Sequence, residues 1–550
     1  PAPEQEGNTT MNLNKLLTAL RQRTNAPAHN QQVERSKRYT HALEQFLDGQ
    51  PAVRLGGAYT LANLADEWLT DASLPEQGRR EEAQTIIDAL TECIRTPYPL
   101  AQKRQVLESD EAPEWYEGNF TRDQEALREE QLVRRTVFME FSRRLAAAES
   151  NKEGNEESQH TVSPSSPMWA DLRFDFGGAP IFYPLRQLHF QNADFASATF
   201  YGAADFSGAT FHGDTSFSAA QFTADASFQG ANFADWVGFS AAHFAGAAKF
   251  SGAHFADAAS FATVAFTGEA DFAVATFKSD ADFSRLNTAG IASFAAVTFD
   301  GKAVFTASTF HDEAHFAASV FNRPAVFSKS LFGGAARFAG IATKQTAIFC
   351  NVRFAGAADF SGATFTQYAD FSGARFDGDA MFSRSSFFAV IRTSYDMDFP
   401  QYANFANAAF AQGADFSEAT FTAFVGFGRA TFAGAVSFNG ANFAGAYFAG
   451  AYFADAKFSQ KADFRQTRFA YAEPSFWDSE GQQKSARFSA QANPQDYLFE
   501  VRPESPHGFS CGEAQLLNRT FVLPVGAVLY DPDSWDEEKQ EYTRVSEPAQ

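Results

Sequence analysis

The sequence predicts a β-solenoid that follows a small helical domain, and three observations support this fold class. The 550 residues contain 63 Phe but only 15 Tyr and 6 Trp, a bias that is typical of an internal repeat. From Ala204 to Val390 the motif A-x-F-x-x-A-x-F-x-x-x recurs every eleven residues without insertion or deletion. Before residue 150 the apolar residues recur instead at three- and four-residue spacing, which is typical of helices.

Residues 33–150 are predicted to form the helical domain. Residues 1–32 are polar and are interpreted as a flexible arm, and residues 151–168 as a polar linker that marks a domain boundary. Gly and Pro separate four segments with helical spacing. These segments are Val33–Asp48, Ala52–Leu69, Arg79–Arg95 and Thr121–Ala148.

The repeat itself requires short strands. In each half-unit a small residue, usually Ala, lies two positions before the Phe, and the residue between them varies. This alternation indicates an extended chain with the small residue and the Phe buried, because Lys249 and Arg337 at middle positions could not be buried unpaired. Steps of five or six residues are too short for a helix, so the chain is expected to turn and stack on itself. Gly and Asp after the Phe are predicted to form the corners.

The predicted solenoid spans residues 190–470, and its ends need caps. Residues 169–189 are irregular and aromatic and are interpreted as the N-terminal cap. Residues 471–550 are interpreted as a C-terminal cap and an acidic tail, which carries seven acids from Asp531 to Glu547. Within this cap, Phe521–Leu523 and Ala527–Tyr530 predict a hairpin around Pro524–Gly526.

The repeat resembles the pentapeptide-repeat proteins. The residues that carry the resemblance are A-D-F-S-G at Ala358–Gly362 and Ala369–Gly373, and A-D-F-S-E at Ala414–Glu418. The resemblance implies a right-handed quadrilateral β-helix with four sides per coil. The family repeats every five residues, whereas here five alternates with six, so we expect about 22 residues per coil and an extra residue at two opposite corners. Closure of a coil after eleven residues is the alternative.

A second resemblance concerns the helical domain. Arg54–Leu61, read as R-L-G-G-A-Y-T-L, is similar to a segment of actinobacterial pentapeptide-repeat proteins, some of which carry membrane helices upstream. This resemblance implies a membrane tether before Pro1. No stretch of the sequence reaches the roughly 18 uninterrupted apolar residues of a membrane span. The three cysteines form no CxxC pair, which favours a reducing cytoplasm. We therefore expect a cytoplasmic protein, with attachment to the inner face of the membrane as a hypothesis.

The sequence predicts no catalytic residue, no cofactor and no metal site. His311 and His315 are four residues apart, but the repeat places them at a corner and a strand rather than on one helical face. Gly56 and Gly57 are expected to allow close helix packing rather than to bind a phosphate. The net charge of −22 excludes a general nucleic-acid binder.

We therefore expect a non-enzymatic interaction or scaffold protein with an unknown protein partner, which could be a membrane or envelope protein. The alternative comes from the resemblance, because some family members mimic duplex DNA and bind a type II topoisomerase such as DNA gyrase. Residues 191–280 carry nine acidic and two basic residues, but solvated corners that keep the protein soluble explain these acids better than mimicry does. The candidate acidic partner-binding residues are Asp205, Asp214, Asp225, Asp235, Asp257, Glu269, Asp271 and Asp280.

A second candidate surface is basic. The residues Arg134, Arg135, Arg143 and Arg144 are predicted to lie opposite Val133, Val137 and Phe141 on the longest helix. Such a face could bind anionic lipid or a protein partner. The alternative is an ordinary helix that packs on its neighbours and exposes its charged side.

Overall fold

The computed structural model describes residues 30–146, 168–185, 188–388, 402–422, 424–444, 451–478 and 484–550. The chain is a parallel β-solenoid preceded by helices, as the sequence predicts. It divides into two compact units, Pro1–Gly238 and Phe239–Gln550, here called the N-terminal unit and the C-terminal unit. Apart from their last residues, the predicted arm and linker lie outside the described residues.

The helical module of the N-terminal unit matches the four predicted helices to within a few residues. Two short helical turns, which the sequence analysis did not identify, lie between its third and last long helices. The bounds are α1 (Asn30–Phe46), α2 (Pro51–Leu69), α3 (Glu76–Arg95), a 3₁₀ turn (Pro99–Lys103), α4 (Arg104–Leu107) and α5 (Phe120–Leu145).

Helices α1 and α2 cross closely at Gly57. A Cβ atom at this position would lie 2.4 Å from the backbone nitrogen of Phe46 and 2.8 Å from the carbonyl oxygen of Ala42. Gly56, by contrast, faces open space. The predicted role of the Gly pair in close helix packing is therefore confirmed at Gly57, because any larger residue there would force the helices apart.

The helical module packs directly on the first coils. The ring of Phe138 in α5 stacks on Phe176 at a centroid distance of 4.7 Å. The indole Nε1 of Trp169 donates to Asp66 Oδ1 in α2 at 2.8 Å, and Arg95 Nη1 in α3 donates to Asp175 Oδ2 at 2.7 Å. The module thus covers the N-terminal end of the Phe stack, and the helical and solenoid sequences meet within one compact unit.

The coils begin inside the segment that the sequence analysis assigned to the N-terminal cap. Phe174–Asp175 already pairs in parallel with Ala193–Asp194. The strands of this unit are Phe174–Asp175, Pro180–Ile181, His189–Gln191, Ala193–Asp194, Thr199–Phe200, Ala204–Asp205, Thr210–His212, Thr215–Ser216, Gln221–Phe222, Ala226–Ser227, Asn232–Phe233 and Val237–Gly238.

Each complete coil of the C-terminal unit has four sides. In one coil, side I is the strand Ala281–Asp282, side II is Asn287–Thr288, side III is Ala292–Ser293 and side IV is Thr298–Phe299. Ala281 then pairs in parallel with Ala303, which begins side I of the next coil. The predicted coil of two eleven-residue units is confirmed, and closure after a single unit is excluded.

The strands of the C-terminal unit follow this rhythm closely. From His243–Phe244 to Ser386–Phe387 every strand covers two residues, and successive strands begin at alternating intervals of five and six residues. The later solenoid strands are Tyr402–Asn404, Ala409–Phe410, Ala414–Asp415, Thr420–Phe421, Phe424–Gly426, Thr431–Phe432, Val436–Ser437, Asn442–Phe443, Ala451–Tyr452, Lys457–Phe458, Ala462–Asp463 and Arg468–Phe469. The strands of the C-terminal cap are Arg487–Ser489, Tyr497–Leu498, Cys511–Leu516, Arg519–Pro524, Val528–Tyr530, Trp535–Asp536 and Glu541–Tyr542.

Two kinds of corner alternate and explain the steps of five and six residues. The tight corners follow sides I and III and are type II turns, in which the third residue has a positive φ. In the turn that begins at Phe283, Leu286 N donates to Phe283 O at 3.2 Å and Arg285 has a φ of 55°. The wide corners follow sides II and IV. Counted between the inward Phe positions 283, 288, 294 and 299, the step is six residues across a wide corner and five across a tight corner. The predicted location of the extra residue at two opposite corners is therefore confirmed.

The interior consists of stacked Phe rings. On side I the rings of Phe283 and Phe305 are 4.8 Å apart and inclined by 3°, which is the spacing of neighbouring strands. Rings from sides I and III meet edge to face, as Phe294 does with Phe305 at 5.2 Å and 87°. The predicted inward direction of the Phe rings is confirmed. Fully burying each ring contributes about 1.5 to 3 kcal/mol.

Two insertions are accommodated without loss of register. Ala369 pairs with Ala403 and Val425 pairs with Ala451, so in both pairs the partner lies further along the chain than the regular coil length requires. The inserted segments include residues 389–401, where the repeat breaks, and residues 445–450, which contain Phe448. Both segments lie outside the described residues.

The C-terminal cap differs from its prediction. The hairpin joins Cys511–Leu516 to Arg519–Pro524 in antiparallel pairing. Val528–Tyr530 pairs instead in parallel with the side II strand Arg487–Ser489. The predicted hairpin between Phe521–Leu523 and Ala527–Tyr530 is therefore wrong. Its expected turn exists as a tight turn with Gly526 at a φ of 84°, and it leads the chain from the hairpin back to the solenoid.

The predicted acidic tail is folded onto this cap. Trp535–Asp536 and Glu541–Tyr542 form an antiparallel pair. The buried carboxylate of Asp531 accepts from Arg544 Nε at 2.7 Å. Asp531, one of the acids in the predicted tail, therefore stabilises the folded cap through its hydrogen bond with Arg544.

Candidate interaction surfaces

The outward positions of the coils vary widely, whereas Phe fills the inward Phe positions with few exceptions, such as Thr288. On side III, every fourth strand presents its second residue to the same column on the surface. In this column of the C-terminal unit, Lys249 is followed by Asp271, Ser293, His315 and Arg337. The solenoid is thus a fixed frame that displays different side chains at a regular spacing of about 4.8 Å.

Four of the candidate acids lie in the N-terminal unit. Asp205 Oδ1 accepts from the backbone N–H of Ser207 at 3.0 Å and so holds the following tight corner. Asp235 Oδ2 accepts from the backbone N–H of Gly213, one coil earlier, at 2.7 Å. Asp214 and Asp225 are exposed at wide corners. Asp205 and Asp235 therefore stabilise corners of the coils through hydrogen bonds with the backbone.

The other four candidate acids lie in the C-terminal unit. Asp271 Oδ1 accepts from the N–H of Ala273 at 2.9 Å, and Asp280 Oδ1 accepts from the N–H of Lys302 at 2.8 Å. Asp257 accepts from its neighbour Ala258, and Glu269 is exposed. The Asp of the A-D-F motif, as in Asp205 and Asp271, is thus a corner-stabilising residue, since an Asp side chain readily bonds to the backbone two residues on.

The prediction of an outward basic face is wrong for Arg134. This residue is 2% exposed. Its guanidinium donates to the carbonyl oxygens of Ile94 at 2.8 Å and Thr96 at 2.9 Å, and to Glu130 Oε1 at 2.6 Å. It also lies over the ring of Phe182 at 5.3 Å. Arg134 therefore ties α5 to the end of α3 and to the first coil.

The same correction applies to Arg144, which is buried. Its Nε donates to Asp66 Oδ2 at 2.8 Å, and its Nη2 donates to Asn63 Oδ1 at 2.9 Å. Arg135 and Arg143 are exposed, and Arg143 pairs with Glu140 at 2.9 Å. Of the four arginines, these last two remain on the surface of α5.

An arginine pair on side II of the C-terminal unit was missed by the sequence analysis. Arg353 and Arg375 are register partners on neighbouring coils. Arg353 Nε donates to Asp377 Oδ2 at 2.7 Å, and Arg375 Nε donates to Asp377 Oδ1 at 2.5 Å. Partial burial would raise the pKa of Asp377, but the hydrogen bonds and charges of the two arginines lower it below its ordinary value.

A similar cluster surrounds Asp455 further along side II. The nitrogen–oxygen distances from this carboxylate are 3.0 Å to Arg487, 3.7 Å to Arg429 and 4.0 Å to Lys484. Here, too, the cations outnumber the carboxylate that holds them. The spacing of one coil between Arg353 and Arg375 was the signal in the sequence that could have identified the arginine pair.

His311 and His315 contact different side chains. His311 Nε2 lies 3.1 Å from Asn287 Oδ1, and His315 Nε2 lies 2.8 Å from Glu313 Oε2. In the described part of the chain no group of three or more His, Cys, Asp or Glu residues could hold a metal ion. No helix among the described residues is both long and apolar enough to cross a membrane.

Comparison with known proteins gives one family. A model described as pentapeptide repeats matches residues 195–243 and 332–386, and a second model with the same description matches residues 429–469. Neither a curated protein nor a solved structure matches the chain. The matched segments all lie in the solenoid, and they include Arg353, Arg375 and Arg429.

Proposed function

Because the chain belongs to the pentapeptide-repeat family, we propose that it is a non-enzymatic interaction protein, a scaffold that presents outward side chains of its coils to a macromolecular partner. The observation that carries this proposal is the contrast between a uniform interior and variable outward columns. Phe fills the interior of the coils. A single outward column on side III, by contrast, contains residues as different as Lys249, Asp271, His315 and Arg337. A frame with such columns offers a large surface whose backbone is already ordered before binding, so little backbone conformational entropy is lost.

The helical module supports this function as a rigid end piece. Its contacts through Phe138, Trp169 and Arg95 join it to the first coils. Its exposed residues Arg135 and Arg143 are the remaining candidates for a contact with an envelope protein or with anionic lipid at the inner face of the membrane.

Recovery of partners from a lysate of the host tests the proposal. The full chain is immobilised, retained proteins are eluted in steps of rising salt, and denatured chain serves as the control. We expect at least one protein to be retained by the folded chain alone. Recovery of topoisomerase subunits, released by moderate salt and displaced by duplex DNA, would favour the DNA-mimic alternative. Retention of the same proteins by folded and denatured chain would contradict the proposal.

A further inference from the structure

We infer that the arginine pair on side II, Arg353 and Arg375, binds paired carboxylates of an acidic segment in a partner protein. This inference rests on the proposed interaction function and assigns to it one surface and one kind of partner. The two residues are register partners, so their backbones lie one strand spacing apart, about 4.8 Å.

The shared carboxylate prepares the two guanidinium groups for binding. Asp377 accepts one hydrogen bond from the Nε atom of each arginine. No Nη atom of either residue bonds to the described part of the chain. Each arginine therefore keeps the pair of Nη donors that suits a bidentate contact with an oxyanion. Because Asp377 holds both groups, less side-chain entropy is lost when an anion binds.

The surroundings leave this donor set accessible and positive. The side chains of Arg353 and Arg375 are 57% and 63% exposed, whereas that of Asp377 is 18% exposed. The neighbours in the same column are Leu331 and Ala409, which carry no charge. Two cations thus face outward above one recessed carboxylate.

The second cluster on side II indicates an extended ligand rather than a small ion. Arg375 pairs with Ala409, which pairs with Thr431 on the next coil, and Arg429 precedes this strand at its tight corner. The centres of the two clusters are therefore three to four strand spacings apart, roughly 15 Å. An extended segment of about five residues covers this distance. A segment with carboxylates at both ends would contact both clusters.

An acidic protein segment fits this surface better than a nucleic acid. The chain carries a net charge of −22, which repels a long polyanion strongly. A short acidic segment needs only the local excess of positive charge on side II, and that contact weakens with salt.

Fluorescence anisotropy with labelled decaglutamate tests the inference on the full chain. We expect Arg353→Gln/Arg375→Gln to weaken binding about tenfold at low salt. The matched control is Arg337→Gln/Arg384→Gln, because it removes the same charge from two exposed arginines that each pair with one Glu. The control should change binding less than about twofold. Circular dichroism establishes that all variants are folded.

A third variant tests whether binding depends on the positioning of the two guanidinium groups by Asp377 or only on the net positive charge of the surface. Asp377→Asn adds one positive charge, so a purely electrostatic surface would bind decaglutamate more tightly. The inferred site should bind it more weakly, because the two guanidinium groups are no longer held in place. Tighter binding by Asp377→Asn, or equal losses in the two double variants, would overturn the inference.

Two further outcomes identify what has failed. If a 20-base-pair duplex binds more tightly than decaglutamate and depends on Arg353 and Arg375, the ligand is a nucleic acid and the inference is overturned. If decaglutamate binding does not depend on these residues but the folded chain still retains a lysate partner, the acidic-ligand assignment fails while the interaction function stands.

Discussion

The helical module and the solenoid coils fill their interiors with different chemistry. The module buries a charged cluster in which Glu130 lies between Arg54 and Arg134. In residues 239–388 the buried polar side chains are those of Ser and Thr, and the remaining buried side chains are apolar. The coils repeat one packing solution many times, whereas the module depends on a single arrangement that occurs once.

This difference determines where a substitution has its largest effect. A Phe in the stack contacts rings in the coils before and after it. When it is replaced, the remaining Phe rings of the neighbouring coils still pack on one another, so the destabilisation stays local. The charged cluster has no such equivalent. Arg134 also holds the carbonyl oxygens of Ile94 and Thr96, so disturbing the cluster loosens α3, α5 and the contact with Phe182 together.

The substitution Glu130→Gln is expected to destabilise the helical module by roughly 3 to 5 kcal/mol, because it leaves the buried Arg134 and the half-buried Arg54 without their shared negative charge. Urea unfolding followed by far-UV circular dichroism, which reports the helices, measures the loss. Glu129→Gln is the matched control, since Glu129 is the exposed neighbour on the same helix. Equal stability of the two variants would contradict the importance of the cluster.

The same cluster predicts a dependence on pH. Burial would raise the pKa of Glu130, but the hydrogen bonds and charges of Arg54 and Arg134 lower it below its ordinary value. A carboxylate with a lowered folded-state pKa contributes stability at pH above its unfolded pKa, and this stability is lost as the pH falls through the folded pKa. The free energy of unfolding of the helices, measured in urea at several pH values, should therefore fall less with decreasing pH in Glu130→Gln than in the native chain.

The periodic part of the molecule was predictable because every coil obeys the same rule. The inward Phe, the outward middle residue and the two opposite wide corners all follow from the spacing in the sequence. The burial of Arg134 was not predictable in this way. Helix α5 packs against other helices on one side and against the first coil on another, so a helical wheel with one apolar face assigns Arg134 to the wrong environment.

The candidate surface and the C-terminal hairpin were missed for different reasons. Arg353 and Arg375 are one predicted coil length apart, so their pairing could be found from the sequence, but their shared contact with Asp377 depends on side-chain geometry that the spacing does not determine. The true hairpin turns at Leu517–Asn518, where both residues have a positive φ. The sequence there lacks the Gly that normally marks such a turn, whereas Pro524–Gly526 carries a strong turn signal.

Thr288 tests the uniformity of the coil interior. It occupies a Phe position on side II between Phe266 and Phe310. Its buried hydroxyl has no hydrogen-bond partner in the described part of the chain. An unsatisfied buried hydroxyl costs about 1 to 3 kcal/mol, so Thr288→Val should stabilise the local coils by at least about 1 kcal/mol.

Native-state hydrogen exchange at His311 measures this gain, because the amide of His311 donates to Thr288 O at 2.9 Å. The opposite change, Phe332→Thr, is the control. It places a Thr between Phe310 and Phe354 and should cost about 3 kcal/mol. A slower exchange in Phe332→Thr than in the native chain would contradict this account of the core.

The smallest expected effect concerns the tight corners, where the solenoid tolerates residues other than Gly. Val274 has a φ of 61° and is 65% exposed, so its side chain adds strain but little packing. Val274→Gly should stabilise the corner by about 1 kcal/mol, since a β-branched residue strongly disfavours this conformation. The matched control is Gly252→Val at the same corner one coil earlier, where φ is 65° and a Cβ would meet no atom within 4 Å. It should cost about the same amount. If Val274→Gly lowers the thermal midpoint while Gly252→Val leaves it unchanged, side-chain contacts rather than backbone conformation determine the stability of these corners.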